Sequence, residues 1–265
     1  MTPSLQHRLD TALRIAREAG ELALGHFRAL ELLSIESKGH QDLVSNADRE
    51  VELFVRQELA RAFPEDGIIG EEHAPTAGTS GHVWVIDPID GTANFVRGIP
   101  AWCVVIASTD HGVTELGVIH EPSTGETFSA ARGGGAHLDG RPMSVSKAGS
   151  LAEGMVGTGS SNRRPLQHVV ELISLLSADG GVFFRNASGA LMLAVVAAGR
   201  LLGYCEEHMN PWDCLAGLLM IEEAGGRIAP LDPERVLSDG ALIVAGGATI
   251  FPKLQELSSK AFKLD

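Results

Sequence analysis

One stretch limits what this chain can become more than any other: Trp84-Val85-Ile86-Asp87-Pro88-Ile89-Asp90-Gly91-Thr92. An apolar run that reads as a buried strand ends at two carboxylates three residues apart, and a Gly-Thr able to open a helix follows at once. A strand end of this kind aims Asp87 and Asp90 into one pocket, with the Ile89 carbonyl between them as a further oxygen ligand. Hard oxygen clusters suit Mg²⁺ or Mn²⁺ and not Zn²⁺. The Gly91 and Thr92 amides then point at an anion over the helix N-terminus. Pro88 pre-sets the angle of the turn, and Gly91 lets an anion approach the backbone. Metal and phosphate are both expected from one short segment.

Charge supports that expectation. The 265 residues include 21 basic and 34 acidic side chains, for a net charge of −13. Broad nucleic-acid binding needs a basic face, so no direct nucleic-acid contact is expected. The same surplus repels a phosphorylated small molecule unless bound cations intervene. The length suits one large domain or two closely packed lobes. No apolar run is long enough to span a bilayer, so no membrane partner is expected. Arg8, Asp10, Arg14, Arg17 and Glu18 interrupt the first apolar residues, unlike a signal peptide. Cys103, Cys205 and Cys214 are far apart, with no Cys-x-x-Cys, which points to structural thiols in a reduced, cytoplasmic setting.

Periodicity predicts helices over residues 5–29 and 47–62, the second stopped by Pro64, with a polar loop over 36–41 between them. Short strands follow at 68–69, 83–86, 103–107, 113–119, 127–131 and 135–138, and tight turns imply antiparallel pairing. Beyond residue 150, helices at 166–177, 191–198, 212–223 and 250–261 alternate with strands at 183–184, 201–205, 226–229 and 241–245. The expected fold is α+β, with lobes over 1–149 and 150–265 and a boundary near Ala148-Gly149-Ser150. Arg132-Gly133-Gly134-Gly135 reads as a tight hairpin, since it lacks the ending of a phosphate loop.

Three other acidic positions can join the opening segment. Gly70-Glu71-Glu72 follows a strand end, Asp48 enters the second helix and Asp213 opens a later one. Each has a plain alternative: Asp48 and Asp213 as first-turn acids, Glu71-Glu72 as a solvated turn. Together they are costly unless cations neutralise them.

Asp42-Leu43-Val44-Ser45-x-x-Asp48, Gly70-Glu71-Glu72, Trp84-x-Ile86-Asp87-Pro88-Ile89-Asp90-Gly91-Thr92-x-Asn94-Phe95 and Pro211-Trp212-Asp213-x-x-Ala216-Gly217 resemble, in order, the motifs of the inositol monophosphatase family. The resemblance implies an αβαβα layered sandwich with mixed or antiparallel sheets between helix pairs. It implies Mg²⁺-dependent, Li⁺-sensitive hydrolysis of a small phosphate monoester, such as an inositol monophosphate or similar polyol phosphate, by a homodimer. By matching positions, Glu71, Asp87 and the Ile89 carbonyl hold a first ion, and Asp87, Asp90 and Asp213 a second. Glu71 lies near a weaker third, and Mn²⁺ can stand in for Mg²⁺. Thr92, paired with Asp48, orients and deprotonates the attacking water. Substrate falls to Gly91, Thr92, Asp213, Glu206 and the Ala187-Ser188-Gly189 segment.

The chain departs from the family around that segment. Ala187-Ser188-Gly189 stands where Gly-Ser/Thr-Ala is usual, and Met192 where Asp or Asn is common. Glu206 is matched by ungapped counting from Trp212-Asp213, with a surface acid beside Glu207 as its plain alternative. Lys38 can approach a third ion or the phosphate, or be an exposed lysine. Histidinol-phosphate phosphatase, 3′,5′-bisphosphate nucleotidase and a regulatory binding protein on the same fold remain alternatives.

Overall fold

Small side chains let the first helix lie close to its sheet. Helix α1 (Pro3–Phe27) buries Leu5, Leu9, Ala12, Ile15, Ala16, Ala19 and Ala23 along one face, at three- and four-residue steps. The structure is a computed structural model that describes residues 2–39 and 42–264, side chains at 3, 37–39, 42 and 43 excepted. After α1, β1 (Ile35–Gly39) and β2 (Asp42–Ser45) pair antiparallel, where the polar sequence over 36–41 suggests only a loop. The tip of that loop and the Lys38 side chain lie outside the described residues. Helix α2 (Asn46–Ala62) begins at a reciprocal cap between Ser45 and Asp48, an arrangement worth about 1 kcal/mol.

Helices α1 and α2 cover one face of a seven-stranded sheet. Its strands lie side by side in chain order: β3 (Gly67–Gly70), β4 (His82–Asp90), β5 (Cys103–Asp110), β6 (Val113–Glu121), β7 (Glu126–Ala131), β8 (Gly135–Leu138) and β9 (Arg141–Pro142). All neighbours are antiparallel as expected except β3 and β4, which are parallel because residues 71–81 carry the chain back to the start of the sheet. A single turn, α3 (Thr92–Phe95), follows β4.

The second sheet has five strands: β10 (Met155–Thr158), β11 (Val182–Phe184), β12 (Gly203–Met209), β13 (Gly226–Ile228) and β14 (Ala241–Gly247), ordered β11-β10-β12-β14-β13. Helices α4 (Leu166–Ala178) and α8 (Phe251–Phe262) pack on its outer face, and α7 (Val236–Asp239) is one turn. Helices α5 (Gly189–Ala197) and α6 (Pro211–Glu223) lie between the sheets and are apolar nearly all round, as two-sided burial requires. The layers therefore run αβαβα. Residues 148–150 fall between the sheets, yet one core joins Val85 and Val105 of the first to Tyr204 and Ile243 of the second. All three cysteines are buried and free, and no helix among the described residues is long and apolar enough to cross a membrane.

Candidate active site

A bulge brings the two carboxylates of β4 to one face. Asp87 lies opposite Val105 of β5 and Asp90 opposite Cys103, so three steps on β4 match two on β5. In a regular strand, residues three apart point to opposite faces. The extra residue realigns them, and Pro88 is tolerated within the bulge because no ladder donor is needed there. Ile86 and Ile89 consequently enter the core under α1 and α2, while Asp87 and Asp90 share the side of Val85, Cys103 and Val105, towards α5 and α6.

Each carboxylate then meets a different support. Asp87 Oδ1 accepts from the Ile89 amide at 2.9 Å. Burial first, then the charges of Glu71, Asp213 and Asp90, holds the Asp87 carboxyl well above the usual carboxylate range. Asp90 Oδ2 accepts from Ser188 Oγ at 2.6 Å and from the Ala190 amide at 2.8 Å, at the start of α5. A helix N-terminus favours an ionised carboxylate by up to about 2 kcal/mol. The Asp90 carboxyl is nevertheless raised, so desolvation outweighs the helix and hydrogen-bond contributions. Asp213 sits in the first turn of α6 and accepts from Asn210 Nδ2 at 3.3 Å. Burial, with the charge of Asp90, pushes its carboxyl up to about 7.

One oxygen from each of Asp87, Asp90 and Asp213 lies within 4.8 Å of the others. Three sheltered carboxylates this close must bind protons or a cation, since no basic side chain bonds to them among the described residues. The donor set is all oxygen and hard, and it fits a divalent cation of the Mg²⁺ or Ca²⁺ class.

Beside this trio lies a hydrogen-bonded pair, Thr92 and Asp48. Thr92 Oγ1 shares its proton between Asp48 Oδ1 and the Ile89 carbonyl, both at 3.1 Å. Asp48 Oδ2 accepts from the Ser45 amide at 2.8 Å and from Ser45 Oγ at 2.6 Å, so the N-cap also fixes the carboxylate. Burial raises the Asp48 carboxyl above its ordinary value and with it the affinity for a proton. Gly91 adopts φ +99°, and a Cβ there would fall 2.9 Å from the Ala101 carbonyl oxygen. Because α3 is a single turn, the expected dipole of a helix N-terminus reduces to individual amides of Gly91 and Thr92, which have no intrahelical acceptor.

These groups open into a cleft of about 830 Å³. Glu71, Asp90, Gly91, Thr92 and Asp213 line one part, and Ala187, Gly189, Met192 and Glu206 another. Arg163, Arg164 and Arg185 also line the cleft. Glu206 is buried, and the Tyr204 hydroxyl donates to it. Burial pushes its carboxyl up to about 7. Glu207 turns away, to His168 Nδ1 at 2.8 Å, and its side chain is 13% exposed.

Asp48, Asp87, Ile89 and Ser188 lie beneath the cleft wall. The fully buried Ser188 hydroxyl donates to Asp90. Met192 is both core and cleft wall. One further residue is absent from any sequence motif: Glu52, wholly buried on α2 and bonded to the amides of Glu72 and His73. Its signal was a Glu-Arg pair at i, i+4, Glu52 and Arg56, placed among Val51, Val55 and Leu59 on the buried stripe.

Known proteins share this architecture. The model of the inositol monophosphatase family matches residues 4–262. An inositol-1-monophosphatase of Rhizobium meliloti is 36% identical over 252 residues, 94% of this chain and 95% of that protein. A Nus factor SuhB of Pseudomonas aeruginosa is 35% identical over 257 residues, 94% of this chain and 95% of that one. The solved extragenic suppressor protein suhB of Bartonella henselae superposes with a TM-score of 0.90 at 33% identity, covering 96% of this chain and 99% of that one. With whole-length matches in sequence and fold, the chain belongs to the inositol monophosphatase family.

Proposed function

We propose that this protein hydrolyses a small-molecule phosphate monoester, an inositol monophosphate or a similar polyol phosphate, in a reaction that requires Mg²⁺. The observation that carries this reading is the convergence of Asp87, Asp90 and Asp213 beside the Thr92–Asp48 pair. Glu71, Asp87, the Ile89 carbonyl, Asp90 and Asp213 would hold two to three ions, whose chemistry is to acidify water and neutralise phosphoryl oxygens. Thr92 Oγ1, its proton shared between Asp48 and the Ile89 carbonyl, offers lone pairs that orient the attacking water. Asp48, its proton affinity raised by burial, takes up the proton that Thr92 passes on. The Gly91 and Thr92 amides meet charge on the phosphoryl oxygens.

The leaving group falls to Ala187, Gly189 and Glu206, with Tyr204 fixing the Glu206 carboxyl. Ser188 acts through Asp90. In a chain of net charge −13, the three cleft arginines would attract an anionic substrate against the overall field.

A panel of inositol 1-phosphate, histidinol phosphate, fructose 1,6-bisphosphate and adenosine 3′,5′-bisphosphate, assayed with Mg²⁺, with Li⁺ added and with EDTA, tests the reading. Mg²⁺-dependent, Li⁺-inhibited release of phosphate, highest on the polyol monoester, is expected. Full turnover in EDTA would overturn the metal chemistry, and preference for histidinol phosphate or the nucleotide would select the corresponding alternative. Relatives named Nus factor SuhB favour a second reading, a regulatory binding role on the same fold. A folded protein with no turnover on any member of the panel would favour it.

A further inference from the structure

Helix α2 buries three ionisable side chains one turn apart: Asp48, Glu52 and Arg56. Asp48 holds Thr92. Glu52 Oε2 accepts from the Glu72 amide at 2.7 Å, and Oε1 accepts from the His73 amide at 3.2 Å. Arg56 Nε donates to Glu52 Oε1 at 2.6 Å, and its Nη2 donates to the His73 carbonyl at 3.1 Å. The His73 residue is thereby gripped at both its N–H and its C=O. On the other side of Glu71, Gly70 packs directly on this clamp. A Cβ at Gly70 would lie 2.3 Å from Glu52 Oε1, so the carboxylate fills the space a side chain would need.

We propose that Glu52 is a positioning residue for the cation site, clamping the main chain on either side of Glu71 and so setting where that carboxylate stands. The amides it holds are charge-assisted donors to a fully buried acceptor, which restricts the turn more than neutral bonds would. Because Asp48 lies one turn earlier on the same helix, α2 holds the Glu71 segment and the Thr92–Asp48 pair in one frame. The inference rests on the reading of Glu71 as a cation ligand.

The test is Mn²⁺ binding to the full chain without substrate, followed by electron paramagnetic resonance of the free ion. Supporting groups around metal ligands typically set affinity by roughly 10–100-fold, and a loss in that range is expected for Glu52→Gln. Arg8→Met removes a comparably buried ion pair, Arg8–Asp66, at the foot of β3. It should lower the melting temperature and leave Mn²⁺ affinity unchanged. If Glu52→Gln does not fold, Glu52→Asp keeps the charge, withdraws it by one methylene, and carries the same expectation. Parental affinity in the Glu52 variant, or an equal loss in Arg8→Met, would overturn the positioning role alone. No saturable Mn²⁺ binding by the parent would overturn the cation reading and this inference with it.

Discussion

Strand β4 bears a cluster of ligand-type side chains at each end, and the two ends differ in almost everything but spacing. At its start, His82, Asp110 and Glu115 bring ligand atoms within 4.8 Å, as do Asp87, Asp90 and Asp213 at its finish. The starting cluster is open: its side chains are 23, 40 and 30% exposed, and His82 Nδ1 stands 3.8 Å from Glu115 Oε2. His82 Nδ1 itself is shielded from water and makes no hydrogen bond among the described residues, but its acidic neighbours are partly solvated, and pairs of this kind are worth about 0–1 kcal/mol. At the finish, Asp87 is 1% and Asp90 8% exposed, and each carboxyl is raised by desolvation. Proximity alone therefore says little about a site. What distinguishes the second cluster is charge that the fold has buried and left to be neutralised by protons or a cation.

The contrast can be broken most directly by substitution at both ends. Asp90→Asn should abolish phosphate release at saturating Mg²⁺, while Glu115→Gln should leave it within about twofold, as expected of an exposed change. Near-parental kcat in Asp90→Asn would remove that carboxylate from the site. A smaller effect is expected from Thr92→Ala, about 10²–10⁴-fold in kcat, the range of a lost proton-transfer group. Mn²⁺ affinity should be kept in that variant, because the hydroxyl, which donates to Asp48 and to the Ile89 carbonyl, is not itself among the proposed ligands. Equal loss of ion binding would make Thr92 structural.

The smallest effect is on stability. Asp213 has its carboxyl raised from 3.8 to about 7, so the folded metal-free protein binds more protons than the unfolded chain between those values. Its contribution is fully present below about pH 4 and is lost as pH rises through about 7. In EDTA the melting temperature should fall by several degrees over that window, and saturating Mg²⁺ should remove the fall. A flat profile in EDTA would show that the trio is solvated like the cluster at the other end of β4.

Much of this was legible in the chain. The apolar stripe of α1, the short strands with tight turns and the helix at 212–223 follow from local period and composition, which act over a few residues. Strand β10 was not legible: Met155-Val156-Gly157-Thr158 is too short to show a period, and its neighbours lie at residues 182 and 203. The hairpin of β1 and β2 was hidden for a related reason, since polar residues over 36–41 signal a loop while backbone pairing needs no apolar side chain.

The sequence by itself determined which residues are candidates for the chemistry. Asp-Pro-Ile-Asp-Gly-Thr places two carboxylates, a proline-held turn and a permissive glycine within six residues, because those constraints are local backbone constraints. Tertiary structure alone decided which atoms meet. Asp213 joins the trio only because α6 is buried between the sheets, and Ser188 turns to Asp90 because α5 starts there. Glu52 becomes part of the frame only because β3 ends against α2. Such meetings depend on packing between segments distant in sequence, where no local periodicity records the partner.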